Sequence, residues 1–336
     1  MYVLGIETSC DECSAAVVED GKNILSNVIA TQIELHRPFD GVVPELASRL
    51  HTEWIAQVVS AALNQAGIKK EQLGAIAATA RPGLLGSLLV GLNFAKGMAA
   101  VLDIPFIGID HIRAHLFAPQ IEHLLEYPYL GVLLSGGHTV ICRVDSYDSI
   151  EVLGTTVDDA IGEAFDKVAK HYGLGYPGGV MIDRLSKSGD PFAFKFSGSN
   201  VGKGYHPYDI SYSGLKTAVI NQLDIFSTGK PATHENIAAS FQRVAVGMLI
   251  KRVEKALKDT GLKRISAGGG VAANSLVRSS LMEFEKAGYE VSFPSLKLCT
   301  DNGAMVAGLG YKYISDGITS DYNLTASARV SAFKKA

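Results

Sequence analysis

Two histidines, His111 and His115, stand four residues apart in "GIDHIRAHLF", directly after the apolar run "IPFIGI". Four residues is close to one helical turn, so on a helix both imidazoles point the same way, as in a two-histidine metal clamp. An ordinary pair of surface histidines has the same spacing, and the pair alone does not separate the two readings. One chemistry is nonetheless disfavoured. A peptidase of the H-E-x-x-H type needs a glutamate beside its first histidine to activate water. Here Ile112 follows His111 and Arg113 occupies the middle.

Three further stretches could do chemistry. "LLSGGHT", residues 133–139, reads as a strand ending in a Gly-Gly turn whose backbone N–H groups can cradle an anion, although a plain hairpin turn would look the same. "ISAGGGVAANS", residues 265–275, places three glycines between a strand and a helix, which lets a flat or charged ligand approach closely. One glycine loop is a weak signal, and two are a better one. "TSCDEC" puts Asp11 and Glu12 at a turn where a kinase would offer small residues; carboxylates there repel a β- or γ-phosphate unless a metal intervenes. They are either solvated turn residues or a catalytic carboxylate and its neighbour. Adjacent residues on an extended hairpin point apart, so the two are not expected to act together.

The elements that must position these residues follow from periodicity. "YVLGIETS", "CSAAVVE" and "NILSNVIA" read as three strands, and from Pro44 an apolar spacing predicts a helix ending at Gly67. "LGAIAATARPG", "LLGSLLVGLNFAKGMAAVLD" and "IPFIGID" then read as strand, helix and strand. The pattern of the opening returns in "YLGVLLSGG", "HTVICRVD" and "SIEVLGTTVD", followed by the helix "DAIGEAFDKVAKHYG", which predicts two related lobes. The second half closes with the helix "NIAASFQRVAVGMLIKRVEKALKDTG", the strand "RISAGGG", the helix "ANSLVRSSLMEFEKAG", the strand "YEVSFPS" and a final helix from near Asp301. Mixed sheets flanked by helices, with ligand in a cleft, are the expected α/β architecture. The expected lobes are residues 1–125 with a return of 305–336, and residues 126–304 with an insertion near 190–215.

Composition bounds the partners. The chain has 336 residues, 47% of them hydrophobic, with a net charge of −3 and an isoelectric point near 6.3. No global basic field attracts nucleic acid or an anionic membrane, so such a partner must meet a local patch or be held by a second protein. Of Cys10, Cys13, Cys142 and Cys299, only the first two form a C-x-x-C, and free thiols in a reducing cytoplasm are expected. The apolar stretch from Leu84 to Ile109 is broken by Asn93, Lys96, Asp103 and Pro105, as suits a core helix and a strand better than a membrane span. A cytoplasmic protein without membrane association is expected, with no targeting pattern at "MYVLGIETS".

In order along the chain, "GIETSCDE", "GVVPELASRLH", "HIRAH", "LLSGGHT", "VDDAIGEAFDKVAK", "YPGG", "SGLKT", "GGGVAAN" and "CTDNGAM" resemble the TsaD family of tRNA N6-adenosine threonylcarbamoyltransferases. The bacterial form is the closer likeness, since Leu133 stands where archaeal relatives carry a tyrosine metal ligand. The resemblance implies a two-lobed actin-like ATPase (ASKHA) fold built from two ribonuclease H-like lobes around a central cleft. It implies one divalent metal, Fe(II) or alternatively Zn(II), on His111, His115 and Asp301. Spacing alone does not select Asp301 among 34 acidic residues. By the same resemblance Leu134, Ser135, Gly136, Gly137 and His138 line the substrate, Asp166 and Asp183 approach ribose hydroxyls, and Gly179 and Asn274 border the nucleotide. The implied reaction moves a threonylcarbamoyl group from threonylcarbamoyl-AMP to the N6 amine of the tRNA adenosine 3′ to the anticodon. Asp11 is then the candidate to orient or deprotonate that amine. The implied partners are the tRNA anticodon loop, a related inactive paralogue (TsaB) and a small ATPase (TsaE). A metal-dependent glycoprotein endopeptidase and a nucleotide-switched binding protein are the alternatives.

Overall fold

The computed structural model describes residues 1–198 and 206–330. The middle of the expected 190–215 insertion and the end of the expected 305–336 segment lie outside the described residues. Two compact units form: residues 1–124 with residues 294–330, and the described residues of 125–293.

The first unit opens with β1 (Tyr2–Glu7), β2 (Glu12–Glu19) and β3 (Asn23–Thr31), followed by α1 (Ile33–His36), α2 (Pro44–Ala66), β4 (Leu73–Arg81), α3 (Leu85–Leu102), β5 (Phe106–Asp110) and α4 (His111–Glu122). Its sheet runs β3-β2-β1-β4-β5. The first three strands pair antiparallel, and β1, β4 and β5 run parallel. Proline at the first position starts α2, and Gly67, left-handed at φ 68°, stops it where the sequence placed the stop. By length and composition α3 could cross a membrane. Here it packs on β4 and α2, and its Leu92, Ala95 and Ala99 lie in the core with Ile6, Ile76 and Val59.

The second unit repeats the plan with β6 (Tyr129–Leu134), β7 (Thr139–Val144), β8 (Ile150–Thr155), α5 (Ile161–His171), α6 (Gly178–Ser186), α7 (Ser213–Asn221), α8 (Leu223–Phe226), α9 (His234–Thr260), β9 (Arg264–Gly268), α10 (Ser275–Met282) and β10 (Glu290–Ser292). The sheet order β10-β9-β6-β7-β8 reproduces the first sheet strand for strand, with β6, β7 and β8 antiparallel and β6, β9 and β10 parallel. The recurrence read from the sequence is therefore one of topology. A separate core forms around Phe165 and Phe241, whose rings meet edge-to-face at 5.5 Å.

The return to the first unit comes at Pro294, ahead of the expected 305. The physical reason is that β10 is the last segment paired to the second sheet, and Phe293 is still buried in that unit's core. From there α11 (Leu296–Cys299) and α12 (Gly303–Ser315) follow, and α12 packs on β1, β2, β4, β5 and α4. Two glycines permit this contact. A Cβ on Gly5 would lie 2.1 Å from the Gly303 carbonyl oxygen, and one on Gly303 would lie 2.6 Å from the Ala16 nitrogen. The start of α12 is thus pressed onto β1 and β2, and Asp301 belongs to the unit that carries the histidine pair.

Candidate metal centre and substrate loops

The C-terminal ends of β1, β4 and β5 are Glu7, Arg81 and Asp110, the edge at which open α/β sheets bind ligands. Asp110 caps α4 by accepting from the Ile112 and Arg113 N–H groups at 3.0 and 3.2 Å. His111 and His115 therefore sit on one face of a helix, as the spacing predicted, with ring centroids 4.5 Å apart. Asp301 comes from the loop between α11 and α12, fixed by Asn302, which caps α12 through the Met305 N–H at 3.0 Å. One Asp301 carboxylate oxygen lies 3.0 Å from His115 Nε2 and 3.6 Å from His111 Nε2.

The ligand atoms of these three residues all lie within 4.8 Å of one another. Ligands about 2.1 Å from one ion sit roughly 3–3.5 Å apart, so the donor set fits a divalent metal with little adjustment. His115 is fully buried, and its Nδ1 has no hydrogen-bond partner among the described residues. His111 is backed from behind: its Nδ1 lies 3.0 Å from Glu7 Oε2 and 3.1 Å from Ser9 Oγ, which leaves Nε2 facing Asp301. Glu7 is fully buried and also accepts from Thr79 Oγ1 and the Ser9 N–H, each at 2.6 Å. This is the carboxylate–histidine arrangement that fixes a ligand's tautomer. Glu7 was not among the residues singled out from the sequence. Its signal was a carboxylate ending an apolar strand.

The charges bear this out. Burial works against ionisation of Glu7, but the His111 charge and hydrogen bond outweigh it and hold the carboxyl below its usual range. Burial opposes protonation of His111, yet Asp301 and Glu7 together carry it up to about 9. For His115, burial and the neighbouring His111 push the other way and keep the ring neutral. A cation is thus accommodated where the first imidazole faces Asp301. The cysteines take no part: Cys10 and Cys13 are free thiols, and burial pushes Cys13 up to about 12.

Asp11 lies in the turn between β1 and β2 and is buried, while Glu12 begins β2 half-buried. The Asp11 charge acts on Glu12, so the two neighbouring carboxyls are electrostatically linked. Burial first, then the Asp11 and Asp301 charges, raise Glu12 well above the ordinary carboxylate range.

The remaining sequence candidates lie in the second unit. Leu134 is buried at the end of β6, and the following turn is closed by the Ser135 N–H to the His138 carbonyl at 2.8 Å and the His138 N–H to Ser135 Oγ at 3.0 Å. Gly136 and Gly137 lie between those two bonds, with open space where a Cβ would point. Asp166 on α5 accepts from the Gly178 N–H at 2.8 Å, which binds it to the start of α6, beside Gly179. Asp183 Oδ1 accepts from Gln242 Nε2 at 2.9 Å, Ser275 Oγ at 2.7 Å and the Ser275 N–H at 3.1 Å. Asn274 caps α10, and its Oδ1 also accepts from Gln242 at 2.9 Å, while its buried Nδ2 has no partner among the described residues. Asp183 and Asn274 are therefore joined through Gln242, which the sequence reading missed. Gly269, at φ 91°, brings the glycine loop to 2.4 Å from the Leu134 carbonyl oxygen, measured from where its Cβ would stand.

A family model described as TsaD, tRNA N6-adenosine threonylcarbamoyltransferase, matches residues 23–308. The chain belongs to the TsaD family. A protein of Treponema denticola is 58% identical across 100% of this chain and 99% of its own, and one of Treponema pallidum strain Nichols is 52% identical across 100% and 95%. Both bear the name tRNA N6-adenosine threonylcarbamoyltransferase. Among solved structures, full-length HypF in its phosphate- and nucleotide-bound form matches 95% of this chain and 47% of its own, with a TM-score of 0.64 at 16% identity. Component A of Acidaminococcus fermentans (R)-2-hydroxyglutaryl-CoA dehydratase matches 94% and 99%, at 0.57 and 18%. At such identities the likeness concerns the fold, and it is the actin-like ATPase fold expected from the motif series.

Proposed function

We propose that this transferase moves the threonylcarbamoyl group of threonylcarbamoyl-AMP to the N6 amine of the adenosine 3′ to the anticodon, using a divalent metal held by His111, His115 and Asp301. The observation that carries the reading is the convergence of His115 and Asp301, 186 residues apart, on the face that presents His111, in a chain of the TsaD family. Two imidazoles, His111 giving up its proton on binding, and one carboxylate with open positions would suit Fe(II), with Zn(II) as the competing ion. When bound, the metal supplies Lewis-acid stabilisation of charge developing on the donor.

In the transfer itself the N6 nitrogen forms a bond to the carbamoyl carbon, the carbon–oxygen bond to AMP breaks, and AMP leaves with that electron pair. The proton lost by N6 goes to Asp11, whose carboxylate lies in the buried turn. The Ser135–His138 turn offers backbone N–H groups to the donor, and Asp166, Gly179, Asp183 and Asn274 border its adenosine. The donor is already activated, so positioning and charge stabilisation suffice. A peptidase reading is disfavoured, since Ile112 stands where that chemistry needs a glutamate.

A net charge of −3 supplies no global basic field, so tRNA docking is assigned to a local patch and to the inactive paralogue and small ATPase as partners, with the cytoplasm as the proposed setting. The test is incubation with these partners, donor carrying a labelled carbamoyl carbon, and unmodified tRNA, followed by nucleoside mass analysis. Labelled threonylcarbamoyladenosine is the expected product. Release of the label as free product without modified tRNA overturns the reading.

A further inference from the structure

We propose that His51, in the stretch "GVVPELASRLH", is a positioning residue for transfer, holding the backbone of the turn that carries Asp11. Three consecutive carbonyls of that turn are each held from a different element. The Ser9 oxygen accepts from the Leu84 N–H at 2.8 Å and the Asp11 oxygen from the Gln32 N–H at 3.1 Å. Between them the Cys10 oxygen accepts from His51 Nε2 at 2.9 Å. Of the three donors, His51 alone is a side chain, so it is the one that sequence can change without moving a backbone.

The environment of the ring fits that role. His51 projects from α2 and is fully buried, and its Nδ1 has no hydrogen-bond partner among the described residues. An orphaned buried acceptor is destabilising, a penalty that a leucine or phenylalanine at a core position would avoid. The imidazole is therefore a poor core filler and a good donor. Burial lowers its basicity, so the ring is the neutral tautomer with hydrogen on Nε2. The same helix steadies the adjacent anchor, because Gln32 Nε2 donates to the Ala47 carbonyl at 3.4 Å and Gln32 Oε1 lies 3.0 Å from His36 Nε2. Without the His51 donor the Cys10 carbonyl loses its buried partner, and the turn is free to rotate the Asp11 carboxylate away from the incoming amine. Misplacement of a reacting group by about an ångström can cost about two orders of magnitude in rate.

The inference rests on the reading that Asp11 receives the amine proton, and the experiment separates the two. Single-turnover transfer, donor affinity, metal content and melting temperature are measured for Asp11→Asn, His51→Leu, His51→Gln and the double variant Asp11→Asn with His51→Leu. Glutamine places an amide nitrogen near the former Nε2 and keeps the donor. Transfer by His51→Leu is expected to fall roughly 10- to 100-fold with donor affinity and metal content unchanged, to recover most of that loss in His51→Gln, and to fall no further in the double variant than in Asp11→Asn. If the leucine variant does not fold, His51→Asn, too short to reach Cys10, replaces it. Wild-type transfer without the donor, a glutamine variant as slow as the leucine one, or additive losses in the double variant overturns the positioning role. Normal transfer by Asp11→Asn removes the underlying reading and the inference with it, and that result is read from that variant alone.

Discussion

Glu7→Gln changes one atom of a fully buried side chain and should weaken metal binding without removing a ligand. The carboxylate accepts from the Ser9 N–H on Oε1, and from Thr79 Oγ1 and His111 on Oε2. An amide cannot serve all three. With its oxygen toward Ser9, the NH2 faces His111 Nδ1 and forces the ring's hydrogen onto Nε2, the nitrogen that faces Asp301. With its oxygen toward His111, the NH2 meets the Ser9 N–H and leaves a buried donor unsatisfied, at about 1–3 kcal/mol of stability. The first arrangement costs metal affinity and the second costs stability. Removing such an outer carboxylate typically lowers affinity about 10–100-fold, or about 1.4–2.7 kcal/mol. Competition for Zn(II) or Co(II) against a coloured chelator, with a melting curve on the same sample, reads both. Wild-type affinity together with wild-type melting temperature would refute the role given to Glu7.

Asp11→Asn should leave metal content and donor affinity near wild type and lower single-turnover transfer by roughly two to four orders of magnitude, measured with labelled donor. Because the Asp11 charge acts on Glu12, Glu12→Gln is expected to slow transfer as well, though less, in the same assay. Gly303→Val places carbon atoms where the Ala16 nitrogen already stands 2.6 Å away from an ideal Cβ, so melting temperature and metal content should fall together. Asp159→Asn tests the acid limb of stability. Burial opposes ionisation of Asp159, but Lys167 and Lys216, each at 2.6 Å, hold its carboxyl below the usual range. A depressed carboxylate stabilises the fold above about pH 4 and loses that contribution as the pH falls through its folded value. The variant should therefore melt lower than wild type near neutrality and converge with it in acid, as melting curves across pH will read.

What could be read from the sequence was what local periodicity controls. The recurrence of three strands before a helix was legible because alternation and turns repeat it, and the structure returns it as two sheets of one topology. The His111 and His115 face was legible because four residues make a turn and Asp110 caps the helix. Asp301 was reached by resemblance alone, because it meets the histidines through the tertiary contact of Gly5 with Gly303, which no local pattern encodes. Glu7 and Gln242 were missed for the same reason: each works on residues far away in the chain, and neither interrupts the pattern of its own element. The strand "YEVSFPS" was read, but the return at Pro294 directly after it was misplaced, because which of the two cores the following segment joins is a tertiary matter that local periodicity does not carry.

The most direct measurement is the amount of labelled threonylcarbamoyladenosine formed on unmodified tRNA in one turnover by Asp301→Ala beside the wild-type chain, with partners and divalent metal held constant. The side chain is partly exposed and outside both cores, so the variant should fold, bind donor and lose most transfer. Transfer at the wild-type level by a folded Asp301→Ala protein would contradict the assignment of the metal centre to His111, His115 and Asp301.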